Sequence, residues 1–236
     1  MKFKNNYFVI ALVLFTMSCM ISLHTSLLEK TEHSFDIEPN SEISFQNVSG
    51  DLEVTEWDSG FVFIETLIYG DSTKEIPEDL EISYLEVPEG LSVVVDHPGG
   101  FNHYSVDFMV KVPSDHGLTI NQETVSGNTD IRGALIVNVE KVSGDTYLEV
   151  LKAETLVAVS GDFNVSLSEQ DIALVIETVS GDIEATFSRE IGINIDTVSG
   201  DIFINGEEFN DVHIPSEKEI EAMLDTVSGD ITVVRN

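Results

Sequence analysis

The chain has 236 residues, 42% of them hydrophobic, which allows a packed core and argues against global disorder. Its 43 Asp and Glu outnumber 11 Lys and Arg, giving a formal charge of −32. A field of that sign repels phosphate backbones and anionic head groups, so nucleic acid is excluded as a partner and the membrane is reached only through the N-terminal segment. The same charge suits cations, basic partners and the solubility of a repetitive β surface.

In chain order, Lys2 and Lys4 precede an apolar run from Tyr7 to Leu23. This is the pattern of an export signal or membrane anchor, and residues 1–30 are assigned to it. Export places the remainder in the cell envelope, in the periplasm or on the cell surface. Cys19 is the single cysteine, so no disulfide forms within the chain. It follows Thr16-Met17-Ser18, which loosely resembles a bacterial lipobox: the Ser fits, but the Leu three places before the Cys is missing. Lipidation of Cys19, cleavage nearby and retention as an anchor all stay open.

Residues 31–116 read as an irregular β N-terminal part. Ile43 to Phe45, Leu52 to Glu56, Phe61 to Leu67, Leu80 to Val87, Leu91 to Val95 and Tyr104 to Val112 are the candidate strands, punctuated by Pro88-Glu89-Gly90 and Pro98-Gly99-Gly100. His97 and His103 flank a Gly-rich loop, but two histidines without a third ligand fall short of a zinc site. Ser114-Asp115-His116 lies between Pro113 and Gly117 and reads as a turn, since adjacency in sequence does not build a catalytic triad.

Residues 117–236 carry the repeat. Val-Ser-Gly-Asp occurs at 142–145, 159–162, 179–182, 198–201 and 227–230, with the near copy Val-Ser-Gly-Asn at 125–128 and an outlying copy at 48–51. The glycines from Gly127 onward step by 17, 17, 20, 19 and 29 residues, the signature of stacked supersecondary units. Each unit reads as a strand, a corner and a second strand, alternating apolar and polar residues. The Val before the corner and the Ile, Leu or Phe after it are expected to point inward. A unit this short cannot bury its apolar face alone, so equivalent strands pair in parallel into a single-sheet coil, a parallel β-helix or β-solenoid. The outlying copy at 48–51 fits either a continuation of the coil with longer excursions or a sandwich-like cap over its end. The 29-residue step holds an insertion, roughly Asn205 to Glu221, in which Pro215 to Glu219 could start a short helix. Ile231 to Val234 is expected as the terminal strand.

Rungs about 4.8 Å apart would bring corner aspartates into register, each neighbouring pair repelling by about 0.9 kcal/mol in water. Calcium is therefore the cofactor worth testing, with Asp145, Asp162, Asp182, Asp201 and Asp230 as its candidate ligands. Against it, each corner has one glycine where calcium-binding solenoid repeats have a tighter Gly-rich nonapeptide. The alternative role of these aspartates is to cap backbone amides at the turn. No nucleophile–base cluster is apparent, and among so many acids a glycosidase-like pair would arise by number alone, so a β-helix enzyme acting on polysaccharide is only an alternative.

The segment from Asn47-Val48-Ser49-Gly50-Asp51 to Trp57-Asp58, then Val110-Lys111-Val112-Pro113 and Leu118-Thr119-Ile120 leading into the repeats, resembles the bacterial "putative adhesin" family, a domain of unknown function with repeated Val-Ser-Gly-Asp turns. The resemblance implies a right-handed single-sheet β-helix-like fold, export and a surface or stress-related role, with no catalytic mechanism. The resulting expectation is a non-enzymatic, adhesin-like interaction or scaffold module whose partner is a protein or polysaccharide of the cell envelope.

Overall fold

The computed structural model describes residues 25–71, 73, 75–96, 104–209, 212–214 and 221–235, and every regular element among them is a strand. Residues 1–24 with Cys19, the His97–His103 loop and the Pro215–Glu219 segment lie outside the described residues, whereas Thr25–Lys30, assigned to the export segment from the sequence, belong to the first strand of the β structure. The N-terminal part comprises β1 (Thr25–Phe35), β2 (Glu42–Ser49), β3 (Leu52–Trp57), β4 (Val62–Asp71), β5 (Glu81–Val87), β6 (Gly90–Asp96) and β7 (Ser105–Pro113). The repeats form β8 (Thr119–Ser126), β9 (Thr129–Ser143), β10 (Thr146–Ser160), β11 (Phe163–Leu167), β12 (Leu174–Ser180), β13 (Ile183–Phe187), β14 (Gly192–Ser199) and β15 (Ile202–Ile204). The chain finishes with β16 (Glu207–Phe209), β17 (Val212–Ile214), β18 (Glu221–Ser228) and β19 (Ile231–Arg235).

The architecture is a β-solenoid. Each rung is an incoming strand, a corner and an outgoing strand, and equivalent rungs pair in parallel. The inward positions Leu148, Leu156, Phe163, Ile176, Ile183 and Phe187 are at most 1% exposed, so the two walls enclose one continuous apolar core. The first corner belongs to the same stack: Ser49 pairs with Ser126, and Leu52 pairs with Thr129.

Beyond that first rung both walls continue as antiparallel sheet. On one side β3 pairs with β7, which runs antiparallel to β4, which runs antiparallel to β1. On the other, β2 pairs with β6, which runs antiparallel to β5. Phe45 and Phe108 meet between these walls with ring centroids 5.4 Å apart. The coil thus continues to the first repeat and is then closed by a sandwich-like cap, which covers the coil's end against edge-to-edge pairing. Strand β1 has no counterpart among the candidate strands; its sequence Thr-Ser-Leu-Leu-Glu-Lys-Thr-Glu-His-Ser-Phe alternates too weakly to announce itself.

The far end departs from sequence order. β18 and β19 lie between β12–β13 and β14–β15, with Ser228 paired to both Ser180 and Ser199 and Ile231 paired to both Ile183 and Ile202. The last strand in the chain is therefore an interior strand of the stack, not its terminal one as expected. The rung β14–β15 is outermost, and the insertion supplies β16 and β17, which pair antiparallel with β15 and β14.

Candidate interaction face and the corner ladder

The corners align with glycine on glycine. A Cβ on Gly144 would sit 2.1 Å from the Gly127 carbonyl oxygen, and its φ of +117° is one that L side chains rarely adopt. Glycine at the corner is thus required twice over, by conformation and by the approach of the neighbouring backbone.

The corner acids form a ladder of hydrogen bonds from rung to rung. Asp107 Oδ1 accepts the Asp51 N–H at 3.0 Å, and Asp51 Oδ1 accepts the Asn128 N–H at 2.6 Å. Asn128 Oδ1 accepts from Asp145 N–H at 3.1 Å, Asp145 from Asp162 at 3.0 Å and Asp162 from Asp182 at 2.8 Å. Asp182 then accepts from Asp230, and Asp230 from Asp201, each at 2.8 Å. Four of the five calcium candidates, Asp145, Asp162, Asp182 and Asp230, therefore place one carboxylate oxygen on a backbone amide. Asp201, on the outermost rung, donates its amide to the ladder and ends it. Each such bond to a charged acceptor is worth about 1 kcal/mol in this exposed setting. Among the described residues no group of three or more His, Cys, Asp or Glu is placed to hold a metal ion.

The ladder begins at Asp107, which lies in no Val-Ser-Gly-Asp motif. Burial raises its carboxyl above the usual range, with the Asp51 carboxylate adding to the rise and the Asp51 amide opposing it. The geometry of β7 against the first corner places it there, and no sequence signal marks it.

The valine before each corner does not point inward as expected. Val48, Val125, Val142, Val159, Val179, Val227 and Val198 are 43–78% exposed. The parity of the strand explains this: Leu174, Ile176 and Thr178 face the core, so Val175, Glu177 and Val179 face out. The residue after the corner does point inward, as Phe163, Ile183, Ile202 and Ile231 show. Stacking turns the valines into a continuous apolar column on the outer face. Two residues upstream runs a parallel column of Gln46, Glu123, Glu140, Val157, Glu177, Asp225 and Asp196 in register. Both columns line shallow grooves of about 540 and 450 Å³. The Asp225 carboxyl is raised by partial burial first, then by Asp196 and Glu177 on the rungs either side.

The inward column beside the corner reads Asn47, Thr124, Lys141, Ala158, Thr178, Thr226 and Thr197. Lys141 is 6% exposed. Its Nζ donates to the Asp145 carbonyl at 2.7 Å and to Thr129 Oγ1 at 3.3 Å. Burial lowers its pKa to about 8, against the pull of Asp145 and Asp51. The Asp115–His116 pair sits in the turn after β7, with Asp115 Oδ1 2.8 Å from His116 Nδ1 and the Asp115 side chain 85% exposed. That contact holds the Asp115 carboxyl below the usual range and leaves it in open solvent, which does not supply the apolar enclosure that tunes a catalytic acid.

Residues 133–234 match the family model described as Toastrack DUF4097, so the match covers the later repeats and not the Asn47–Ile120 residues quoted for the resemblance. No curated protein matches the chain. Among solved structures it is similar to a "putative cell adhesion protein" from Clostridium sporogenes, at 12% identity over 88% of this chain and 100% of that one, with a TM-score of 0.49. It is also similar to a "putative adhesin" from Bacteroides fragilis, at 15% identity over 89% and 98% of the two chains, with a TM-score of 0.43. Identities this low do not carry a function from one chain to the other.

Proposed function

We propose that this chain, with its Toastrack repeats, is an exported, non-enzymatic interaction module of the cell envelope, and that it docks its partner on the outer face formed by the valine and acid columns. The observation that carries this reading is the exposed valine column: seven stacked valines 43–78% exposed form an uninterrupted apolar line, where solubility alone would favour polar residues. The adjacent acids favour a protein partner that brings basic groups, because opposite potentials steer encounter and reject like-charged surfaces. The solenoid supplies a flat, rigid face, and the cap and the β16–β17 strands keep its ends from pairing with other sheets. The apolar run from Tyr7 to Leu23 delivers the module across the membrane.

The test compares the wild-type full chain with Val142→Asp and Val179→Asp for retention on isolated cell envelopes, before and after protease treatment of the envelopes. Retention that is lost in both variants at unchanged melting temperature, and lost on protease-treated envelopes, supports the reading. Equal retention of wild type and variants contradicts it. So does a hydrolytic activity on envelope polysaccharide that one acid-to-amide change abolishes.

A further inference from the structure

The C-terminal rung sits in a slot that its own neighbours could close without it. Thr178–Ile183, Thr197–Ile202 and Thr226–Ile231 are the same hexapeptide, Thr-Val-Ser-Gly-Asp-Ile, and form the three outermost corners of the coil. The contacts at both walls of the slot repeat: Thr226 Oγ1 donates to the Gly181 carbonyl at 3.2 Å, and Thr197 Oγ1 donates to the Gly229 carbonyl at 3.3 Å. The aspartate bonds repeat as well, from Asp230 N–H to Asp182 and from Asp201 N–H to Asp230, each at 2.8 Å. Register is set by this local pattern, and the pattern is the same on all three rungs.

Without β18–β19 between them, the strand pair β14–β15 would meet on β12–β13 the same corner sequence that it meets on β18–β19. It is also made first, and residues 188–191 are all that join it to β13. Until β18–β19 is placed, the slot between β12–β13 and β14–β15 presents the same corner pattern to the chain's own C-terminal rung and to that of another copy. Residues 205–220 connect β18–β19 to β15 and, once β16 and β17 release from β15 and β14, reach about 50 Å when fully extended, enough to reach a neighbouring molecule. Exchange of an identical element between copies is the low-cost route to association, and repeat proteins are prone to it.

We propose that the slot between β12–β13 and β14–β15 accepts β18–β19 from a second copy of this chain as well as from its own, so that the C-terminal rung joins copies by strand exchange. The exchanged rung makes every backbone bond that the intramolecular one makes, so the interface is specific to this sequence and adds no unpaired edge.

Glu184 and Thr232 are outward-facing register partners across the β13–β19 boundary, at a separation that a disulfide can bridge. In the full chain with Cys19→Ser, one tagged copy carries Glu184→Cys and a differently tagged copy carries Thr232→Cys. The two are co-expressed and oxidised. A third form carries both substitutions in one chain and reports whether the paired positions meet. The expected result is a disulfide-linked pair bearing both tags, in large excess over self-linked pairs, together with intrachain closure in the double variant. Closure of the double variant alone overturns the exchange. Mixed pairs no more abundant than self-linked ones overturn it too, and so does the absence of any cross-link, which would remove the rung order on which it rests.

Discussion

The two ends of the solenoid are closed by opposite means. At the N-terminal end both walls run on into antiparallel sheet, and aromatic side chains fill the space: Phe45 lies 5.4 Å from Phe108, and Tyr84 lies 4.2 Å from His33 and 5.7 Å from Phe35. Tyr84 also hydrogen-bonds Thr66 at 2.6 Å, and burial raises its phenol above the usual range. At the C-terminal end, among the described residues, the outermost rung carries the three-residue strands β16 and β17, and its valine, Val198, is 78% exposed. One end is held by a packed core and the other by one borrowed rung. In a stack where each rung touches only its neighbours, such a difference becomes a gradient of local stability.

Glycine substitutions are expected to have the largest effects on this gradient. Gly144→Ala drives a Cβ to 2.1 Å from the Gly127 carbonyl oxygen in the middle of the stack, and it is expected to cost about 3 kcal/mol or more, read as a lower urea midpoint. Gly200→Ala makes an equally close contact, 1.9 Å from the Gly229 carbonyl oxygen, but on the outermost rung. It is expected to free that rung, seen as faster amide exchange in β14 and β15, with little change in the midpoint of the remainder. Equal global losses would show that the coil unfolds as one unit and has no weak end.

Lys141 interrupts, from inside, a column that is otherwise small or polar. Its folded-state pKa, about 8, lies below the ordinary 10.5. The unfolded chain therefore binds more protons between those values, and stability rises with pH across that window. Below pH 8 the charge is buried at a cost in stability. Lys141→Met is expected to gain about 1–2 kcal/mol at pH 7, less than the shift alone implies because two hydrogen bonds are lost, and the gain should vanish above pH 10.5. Urea melts of both proteins from pH 7 to 11 test this; an unchanged gap across the window would contradict it. Asp225 predicts a smaller effect of opposite pH sense. Its raised carboxyl favours the folded state below the unfolded pKa and loses that contribution as pH rises through the folded value. Asp225→Asn should thus raise the melting temperature slightly at pH 7 and not at pH 3.

The sequence makes the coil legible because its corners obey local rules. Glycine at positive φ, a short acceptor side chain after it and apolar alternation on either side are all written within six residues. The candidate strands from Ile43 to Val112 all appear, as β2 to β7. The valine orientation was legible too: counting back by twos from Ile183 across a corner misleads, whereas counting along β12 from Leu174 places Val179 outside. The corner adds residues that belong to neither face, so alternation does not carry across it. The order of the last rungs was not legible, because three identical hexapeptides make each stacking locally equivalent. In the structure β16 and β17 pair with β15 and β14, contacts that no corner sequence encodes. Asp107 was hidden for a related reason, since its role comes from a neighbour distant in sequence and not from its own motif.

The smallest of these effects is also the most direct test of the corner ladder. In it, a corner side chain needs only an acceptor oxygen aimed at the next rung's amide, as Asn128 already supplies at 3.1 Å to Asp145. Thermal unfolding of Asp162→Asn and Asp162→Ala, with calcium, with chelator and at matched ionic strength, separates a structural ladder from a row of ligands. The ladder predicts that Asn is close to neutral, that Ala costs about 1 kcal/mol, and that calcium acts no differently from matched salt. A calcium-specific rise of many degrees that is lost equally in both variants would contradict it.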